Sequence, residues 1–109
     1  MPECSMELDS DCPEASFPDG AEVRHLVIVN RKGLHARATA KLVQTVDRFT
    51  CDVWIARCGE VVGGRSIMGL LTLGAGIGTT ISVAAQGPDA DAALDAIAAL
   101  IADKFGEGE

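Results

Sequence analysis

The sequence predicts an α+β protein in which three helices cover one face of a four-stranded, mostly antiparallel β-sheet. Four short segments alternate apolar and polar residues, as strands do, and three others repeat apolar residues every three or four positions, as helices do. Their order is β-α-β-β-α-β-α, with two crossovers and one hairpin. This order is typical of a sandwich with its helices on one side of the sheet, so the other side is expected to be open.

The first strand is predicted over Val23–Asn30 and the first helix over Ala36–Arg48. Leu26 and Ile28 share one side of the strand and would face the core. The helix has an apolar stripe at three- and four-residue spacing, which would pack on the sheet. The stripe consists of Thr39, Leu42, Val43 and Val46.

A β-hairpin follows, with strands predicted over Asp52–Arg57 and Glu60–Gly63. Successive side chains of a strand point to opposite faces of its sheet. Val53 and Ile55 would therefore point into the core, and Trp54 would lie on the open face. Water or a partner protein would cover Trp54 there.

Ser66 is a favoured N-cap residue, and the apolar run Ile67–Leu73 behind it predicts a short second helix. A helix this short cannot bury every side, so Ile67, Met68 or Leu71 should be exposed. Exposed apolar residues of this kind indicate a docking patch for a protein partner. The alternative is that the N-terminal extension or a neighbouring element covers the helix.

The three glycines within Gly74–Gly78 follow a helix and precede a strand, which is the wrong context for a dinucleotide-binding fingerprint. They are interpreted as a helix C-cap and a turn. The fourth strand is predicted over Thr79–Ala85. The third helix begins after Gly87-Pro88-Asp89 and is expected to end at Gly106. Its core stripe consists of Leu94, Ile97, Ala98, Ile101 and Phe105.

The 109 residues suffice for one domain. The net charge of −7 comes from residues 1–22, which contain no Lys or Arg, whereas acids and bases balance in the remainder. We therefore expect a flexible acidic extension over residues 1–21 and a folded domain over 22–109. The extension is either a solvated tail or an arm that competes for the basic residues near His35. Because no basic stripe is present, a nucleic-acid partner is not expected.

Several other classes of protein are disfavoured. No apolar run approaches the roughly 20 residues of a membrane span, and the N-terminus lacks the pattern of a secretory signal. We therefore expect a cytoplasmic location and no membrane partner. The four cysteines form no C-x-x-C pair, which argues against a metal site and against a small metal chaperone. No cofactor is expected.

The candidate site is the turn between the first strand and the first helix. His35 would lie at the mouth of that helix, where free backbone N–H groups and the helix dipole favour anions. Arg37 and Lys41 are four residues apart and would share the helix face beside it. A titratable nucleophile in an anion-binding nest indicates phosphate chemistry at His35. The alternative is an ordinary capping or surface histidine.

Two motifs give the chain a family resemblance. Gly33-Leu34-His35-Ala36-Arg37 and, downstream, Arg65-Ser66-Ile67-Met68-Gly69-Leu70 resemble the HPr family of histidine-containing phosphocarriers of the bacterial phosphoenolpyruvate:sugar phosphotransferase system. The similarity extends over roughly residues 22–105. It implies an open-faced β-sandwich of four strands and three helices.

The resemblance also implies roles for particular residues. His35 would accept a phosphoryl group on Nδ1 from Enzyme I and pass it to an EIIA-type protein, with Arg37 contacting the phosphoryl group. Ser66 would be a regulatory site for HPr kinase/phosphorylase. Such a protein is a stoichiometric carrier with a phosphohistidine intermediate, not a stand-alone enzyme. The expected partner-binding residues are Ile67, Met68, Leu71 and Lys41.

Two features depart from the usual family pattern. Ala38 stands where proline often follows the arginine, and the acidic extension exceeds the usual family length. Because alanine is a good helix former, this change should leave the fold intact while altering the rigidity of the first helical turn. The residues of both motifs resemble the nitrogen-related or regulatory branch, called NPr, more than a sugar-uptake carrier. The remaining alternative is a regulatory binding module of the same fold without histidine chemistry, against which the pairing of His35 with Arg37 argues.

Overall fold

The computed structural model describes residues 15–107 and confirms the predicted α+β architecture. The elements follow one another in the predicted order. They are β1 (Glu22–Val27), α1 (Ala36–Val46), β2 (Asp52–Arg57), β3 (Glu60–Gly63), α2 (Ile67–Thr72), β4 (Thr80–Gln86) and α3 (Ala90–Ala102), followed by a short 3-10 turn (Lys104–Gly106). The bounds of β2 and β3 are those predicted from the sequence.

The four strands form one antiparallel sheet in the order β1-β4-β2-β3. β4 is therefore an inner strand between β1 and β2, while β2 and β3 form the predicted hairpin. Leu26 of β1 lies opposite Ile81 of β4, and Val83 of β4 lies opposite Ile55 of β2. This register aligns the apolar side chains of three strands on one face, where the helices pack.

The core lies between that face and the three helices. The predicted stripe of α1 is buried, with Val43 at its margin, and the stripe of α3 packs on β4 and β1. Burying an aliphatic side chain stabilises the fold by about 1.5–3 kcal/mol, so this cluster is the main source of stability. Its largest members are Phe105, Ile28, Leu42, Ile55, Leu70, Ile81, Leu94 and Ile97.

Within residues 15–107, no helix covers the other face of the sheet. Trp54 lies on that face, as predicted, and is half-buried. Val23 is paired with Ala84, which is paired with Trp54 in turn, so these three residues form one row across the sheet. The open face predicted from the alternation in β2 is thus present in this part of the chain.

Two predicted boundaries were too long. β1 ends at Val27 rather than Asn30, although the Ile28 N–H still donates to the Thr79 carbonyl at 2.9 Å. α1 ends at Val46 rather than Arg48. The Arg48 and Phe49 N–H groups bind carbonyls three residues back, so the chain tightens into a 3-10 turn instead of continuing the α-helix.

The prediction that α3 continues to Phe105 is wrong. The helix ends at Ala102, and both Lys104 and Phe105 adopt a left-handed backbone with φ of 56°. Phe105 is nevertheless fully buried. Its four-residue spacing from the buried Ile101 therefore resembles a helical stripe, although the backbone at Phe105 is no longer helical. Burial of the phenyl ring offsets the cost of the left-handed turn. The turn sends the following residues back toward the start of α1.

The predicted acidic extension lies mostly outside the described residues, so the division of the chain at residue 21 stays a prediction. The described part begins with an irregular segment before β1. Among the helices within residues 15–107, none has the length and apolar character needed to cross a bilayer.

Candidate functional site

His35 is the N-cap residue of α1, as its position in the sequence indicated. Its backbone is extended, and its Nδ1 accepts a hydrogen bond from the Arg37 N–H at 3.3 Å. The cap therefore satisfies one of the free N–H groups that begin every helix. It also places a ring nitrogen and its lone pair at the positive end of the helix dipole.

The backbone conformation at one position of the loop before His35 requires glycine. Gly33 has a φ of +65°, and a Cβ at this position would collide with the carbonyl of Ala75. The same carbonyl accepts the Leu34 N–H at 2.9 Å, and Leu34 itself is buried. The glycine-containing segment after α2 thus supports the loop that carries His35, which is a larger role than the predicted turn.

The second ring nitrogen of His35 is also occupied. Nε2 contacts Oε2 of Glu107, which the C-terminal turn has brought back to the site. The Nδ2 atom of Asn30 donates to Oε1 of the same carboxylate at 3.0 Å and to the Gly33 carbonyl at 2.9 Å. Asn30 is fully buried, so it holds Glu107 and the His35 loop in a fixed relation.

The carboxyl of Glu107 is an anion in this setting. Burial alone would raise its pKa, because it disfavours the charged form. Hydrogen bonds from Asn30 and His35, the charge of His35 when its ring is protonated, and the charge of Lys32 more than offset that effect and hold the pKa of Glu107 below its ordinary value. The side chain is only 12% exposed, whereas that of His35 is 26% exposed.

Three cations lie around the ring. Lys32, Arg37 and Lys41 line a cleft of about 530 Å³ together with His35 and Glu107. Lys32 and Arg37 are exposed, but the ammonium group of Lys41 donates to the Phe105 carbonyl at 2.5 Å. Lys41 therefore fixes the C-terminal turn in addition to lining the cleft. The cleft can hold an anion beside the imidazole, as helix N-termini commonly do.

Ser66 is the N-cap residue of α2, as predicted. Its Oγ accepts the Gly69 N–H at 3.1 Å, and the residue is exposed. A Cβ at Gly69 would press against Val62 and the Ser66 hydroxyl, which explains a glycine inside this helix. Ile67 and Met68 are 43% and 72% exposed, so the predicted exposure of the helix is confirmed.

The two motifs lie on adjoining elements, because α1 and α2 pack against each other. Arg65 joins them directly. Its guanidinium binds the Asp47 carboxylate at 2.8 Å and the carbonyls of Val46, Phe49 and Cys51. The end of α1 is thereby tied to the residue that precedes Ser66.

Sequence reasoning missed Asn30 and Glu107. An asparagine at the end of a strand indicates only a turn, and a glutamate between two glycines near the C-terminus indicates only a loop. Glu107 contacts Asn30 and His35 across more than seventy residues of sequence. No local pattern could have shown them.

A comparison with protein-family models matches residues 23–103 to PTS-HPr, described as the PTS HPr component phosphorylation site. The chain belongs to the HPr family of phosphocarriers of the phosphotransferase system. The matched span contains both motifs and ends before Glu107.

Individual HPr-family proteins are similar over nearly their whole length. Phosphocarrier protein HPr of Cupriavidus necator is 50% identical over 86 residues, which is 79% of this chain and 97% of that protein. Phosphocarrier protein NPr of Shewanella violacea is 44% identical over 84 residues, covering 77% and 92%. The crystal structure of HPr-C-His from Thermoanaerobacter tengcongensis matches with a TM-score of 0.76 and 37% identity, covering 79% and 97%. Relatives therefore include both HPr and NPr proteins, and the open-faced sandwich is confirmed.

Proposed function

We propose that this HPr-family protein accepts a phosphoryl group on His35 from Enzyme I and passes it to an EIIA-type protein. The observation that carries the proposal is the imidazole of His35 at the N-terminus of α1, with Nδ1 directed at the first free N–H groups. Arg37, exposed in the same cleft, is assigned to contact the phosphoryl oxygens. The reaction takes place in the cytoplasm.

The chemistry requires little of the carrier beyond position and charge. Phosphoryl transfer depends chiefly on alignment and on stabilising negative charge that spreads over the equatorial oxygens. When Nδ1 bonds to phosphorus, the Arg37 N–H loses its acceptor and can donate to a phosphoryl oxygen instead. The stabilisation must remain modest, because a carrier has to release the group it accepts.

Partner binding is assigned to the surface beside this site. Exposed apolar residues next to a reactive group favour docking of a protein, since they gain most from burial. The proposed contacts for Enzyme I and the EIIA-type protein are Ile67, Met68, Leu71 and Lys41. Ile67 and Met68 are the more exposed pair, and Lys41 contributes from the edge of the cleft.

Ser66 is proposed as a regulatory phosphorylation site for a kinase of the HPr kinase/phosphorylase type. A phosphate there would add about −1.5 to −2 charges at pH 7. It would sit between Arg65 and the apolar residues of α2, and would oppose an acidic partner surface. The hydroxyl is exposed, although it also caps α2.

The two histidines of the chain supply a matched test. His25 lies on the open face of the sheet, where its Nδ1 is 3.0 Å from the Ser82 hydroxyl. We expect His35→Ala to abolish labelling by Enzyme I and radioactive phosphoenolpyruvate, and His25→Ala to be labelled like the unmodified protein. Labelling of His35→Ala would remove His35 from its role. An unmodified protein that stays unlabelled while binding its partners would indicate the regulatory binding module instead.

A further inference from the structure

The C-terminal turn brings an ionised carboxylate to the ring nitrogen opposite the helix. We propose that Glu107 is a positioning residue for His35: it holds the ring through its Nε2–H and stabilises the positive charge that the ring gains when Nδ1 is phosphorylated. This inference rests on the proposed function. Its observations are the contact between Glu107 and Nε2 and the hydrogen bond from the Arg37 N–H to Nδ1.

The two contacts select the same tautomer of the ring. A neutral imidazole has one N–H and one lone pair. The Arg37 N–H can only donate, so the lone pair belongs to Nδ1. The carboxylate of Glu107 can only accept, so the ring proton belongs to Nε2. The nucleophilic atom is therefore Nδ1, at the mouth of α1, and the carboxylate lies on the far side of the ring, away from the incoming phosphorus.

The charge on the ring changes during transfer. The Nδ1 lone pair forms the bond to phosphorus, while the bond between phosphorus and the donor's leaving atom breaks and its electron pair stays with the donor. The Nε2 proton does not move, so the ring becomes an imidazolium. A carboxylate in contact with Nε2–H stabilises that cation, as in carboxylate–histidine pairs that assist other nucleophiles. Transfer to the acceptor reverses each change.

Several contacts hold the Glu107 carboxylate at this position. The two left-handed residues before Gly106 turn the chain back, the buried Phe105 anchors the turn, and Lys41 binds the Phe105 carbonyl. Asn30 then fixes the second carboxylate oxygen from inside the protein. A surface carboxylate that only met the ring by chance would have no such support.

Two substitutions separate the positioning from the charge. Glu107→Gln keeps an acceptor for Nε2–H but removes the charge, and Glu107→Ala removes both. Asp103→Asn is the matched control, because it removes one exposed carboxylate four residues earlier. We expect Glu107→Gln to lower kcat for phosphoryl acceptance about tenfold with KM nearly unchanged. Glu107→Ala should be slower still, and Asp103→Asn should behave like the unmodified protein.

Nitrogen-15 NMR of the His35 ring gives readouts that a merely structural role would not move. In the unphosphorylated protein, exchange of the Nε2 proton with water should be several-fold faster in Glu107→Ala than in Glu107→Gln or in the unmodified protein. In the phosphorylated protein, that proton should be lost about one pH unit lower in Glu107→Gln, with Lys32, Arg37 and Lys41 unchanged around the ring.

Either of two results would overturn the proposal. One is acceptance by Glu107→Gln that equals or exceeds that of the unmodified protein. The other is an Nε2 proton whose exchange and loss are the same in all variants. The exchange measurement needs no phosphoryl donor, so it distinguishes failure of this proposal from failure of the proposed function.

Discussion

The free backbone N–H groups at the N-termini of α1 and α2 are capped in different ways. Each is capped by a side chain that accepts a backbone N–H, from Arg37 to Nδ1 of His35 in α1 and from Gly69 to Oγ of Ser66 in α2. The serine cap is local and exposed. The histidine cap has a second nitrogen that contacts Glu107, and Glu107 is held in turn by the buried Asn30.

The difference shows what a cap can be used for. The Ser66 hydroxyl is exposed and accepts its hydrogen bond from Gly69 in the first turn of its own helix. His35 is positioned by chain segments that follow β1, precede β4 and follow α3, and these leave Nδ1 directed at the helix N-terminus. One cap is therefore suited to a surface switch, and the other to chemistry that depends on the orientation of a ring.

Among the substitutions considered, a change at Gly33 should have the largest effect on the loop that holds His35. Gly33→Ala places a Cβ against the Ala75 carbonyl and forces alanine into a left-handed conformation. We expect a loss of about 1–3 kcal/mol in the free energy of unfolding and a clear fall in phosphoryl acceptance. Denaturant unfolding and the labelling assay measure the two effects.

Gly76→Ala is the control for that change. A Cβ at Gly76 meets no other atom within 4 Å, and its φ is not positive. Its stability should be unchanged or slightly raised, because alanine restricts the unfolded chain. Equal losses in the two variants would mean that the contact between the loops does not position His35.

At the α2 cap, the capping role and the charge can be separated. Ser66→Ala should cost about 1 kcal/mol in the free energy of unfolding, because the Gly69 N–H loses its acceptor. Ser66→Asp and Ser66→Asn both retain a capping acceptor, so both should keep nearly full stability. Denaturant unfolding checks the three values together.

Transfer rates then isolate the charge. Ser66→Asp should accept phosphoryl from Enzyme I several-fold more slowly than Ser66→Asn, since only aspartate adds a negative charge beside the docking residues. Identical rates for the aspartate and asparagine variants would contradict the proposed switch. They would leave Ser66 as a helix cap alone.

The smallest expected effect is the pH dependence caused by Glu107. The pKa of Glu107 is lower in the folded protein than in the unfolded chain, so the folded state favours the ionised carboxylate. The ionised carboxylate therefore adds to the free energy of unfolding, and this contribution is fully present above the pKa of the unfolded chain. That contribution is lost as the pH falls through the folded value. Denaturant unfolding between neutral and acid pH should therefore show a shallower acid loss in Glu107→Gln than in the unmodified protein. A steeper or identical acid limb would indicate that the carboxylate gains nothing from the His35 site.

Much of the fold could be predicted because local patterns determine it. The alternation around Val53 and Ile55 fixed the bounds of β2, and the capping hydroxyl of Ser66 fixed the start of α2. The same type of reasoning failed at Phe105. Its four-residue spacing from Ile101 continues an apolar stripe, but the left-handed backbone at Lys104 ends the helix first.

Only those residues of the candidate site that lie close together in sequence could be predicted. His35 and Arg37 are two residues apart in sequence, and a helix start next to a glycine turn is enough to bring them together. Asn30 and Glu107 enter through tertiary contacts, which depend on how α3 ends and how the final turn folds back. Sequence spacing contains no information on that path, so the carboxylate behind the ring emerged from the structure alone.

The most direct test of the account is the identity of the phosphorylated atom. Unmodified protein, uniformly labelled with nitrogen-15, would be phosphorylated with Enzyme I and phosphoenolpyruvate and examined by phosphorus–nitrogen correlation NMR. We predict one phosphorus resonance, coupled to Nδ1 of His35, with the proton still on Nε2. Coupling to Nε2 of His35, or to either ring nitrogen of His25, would contradict the arrangement of the ring described for this site.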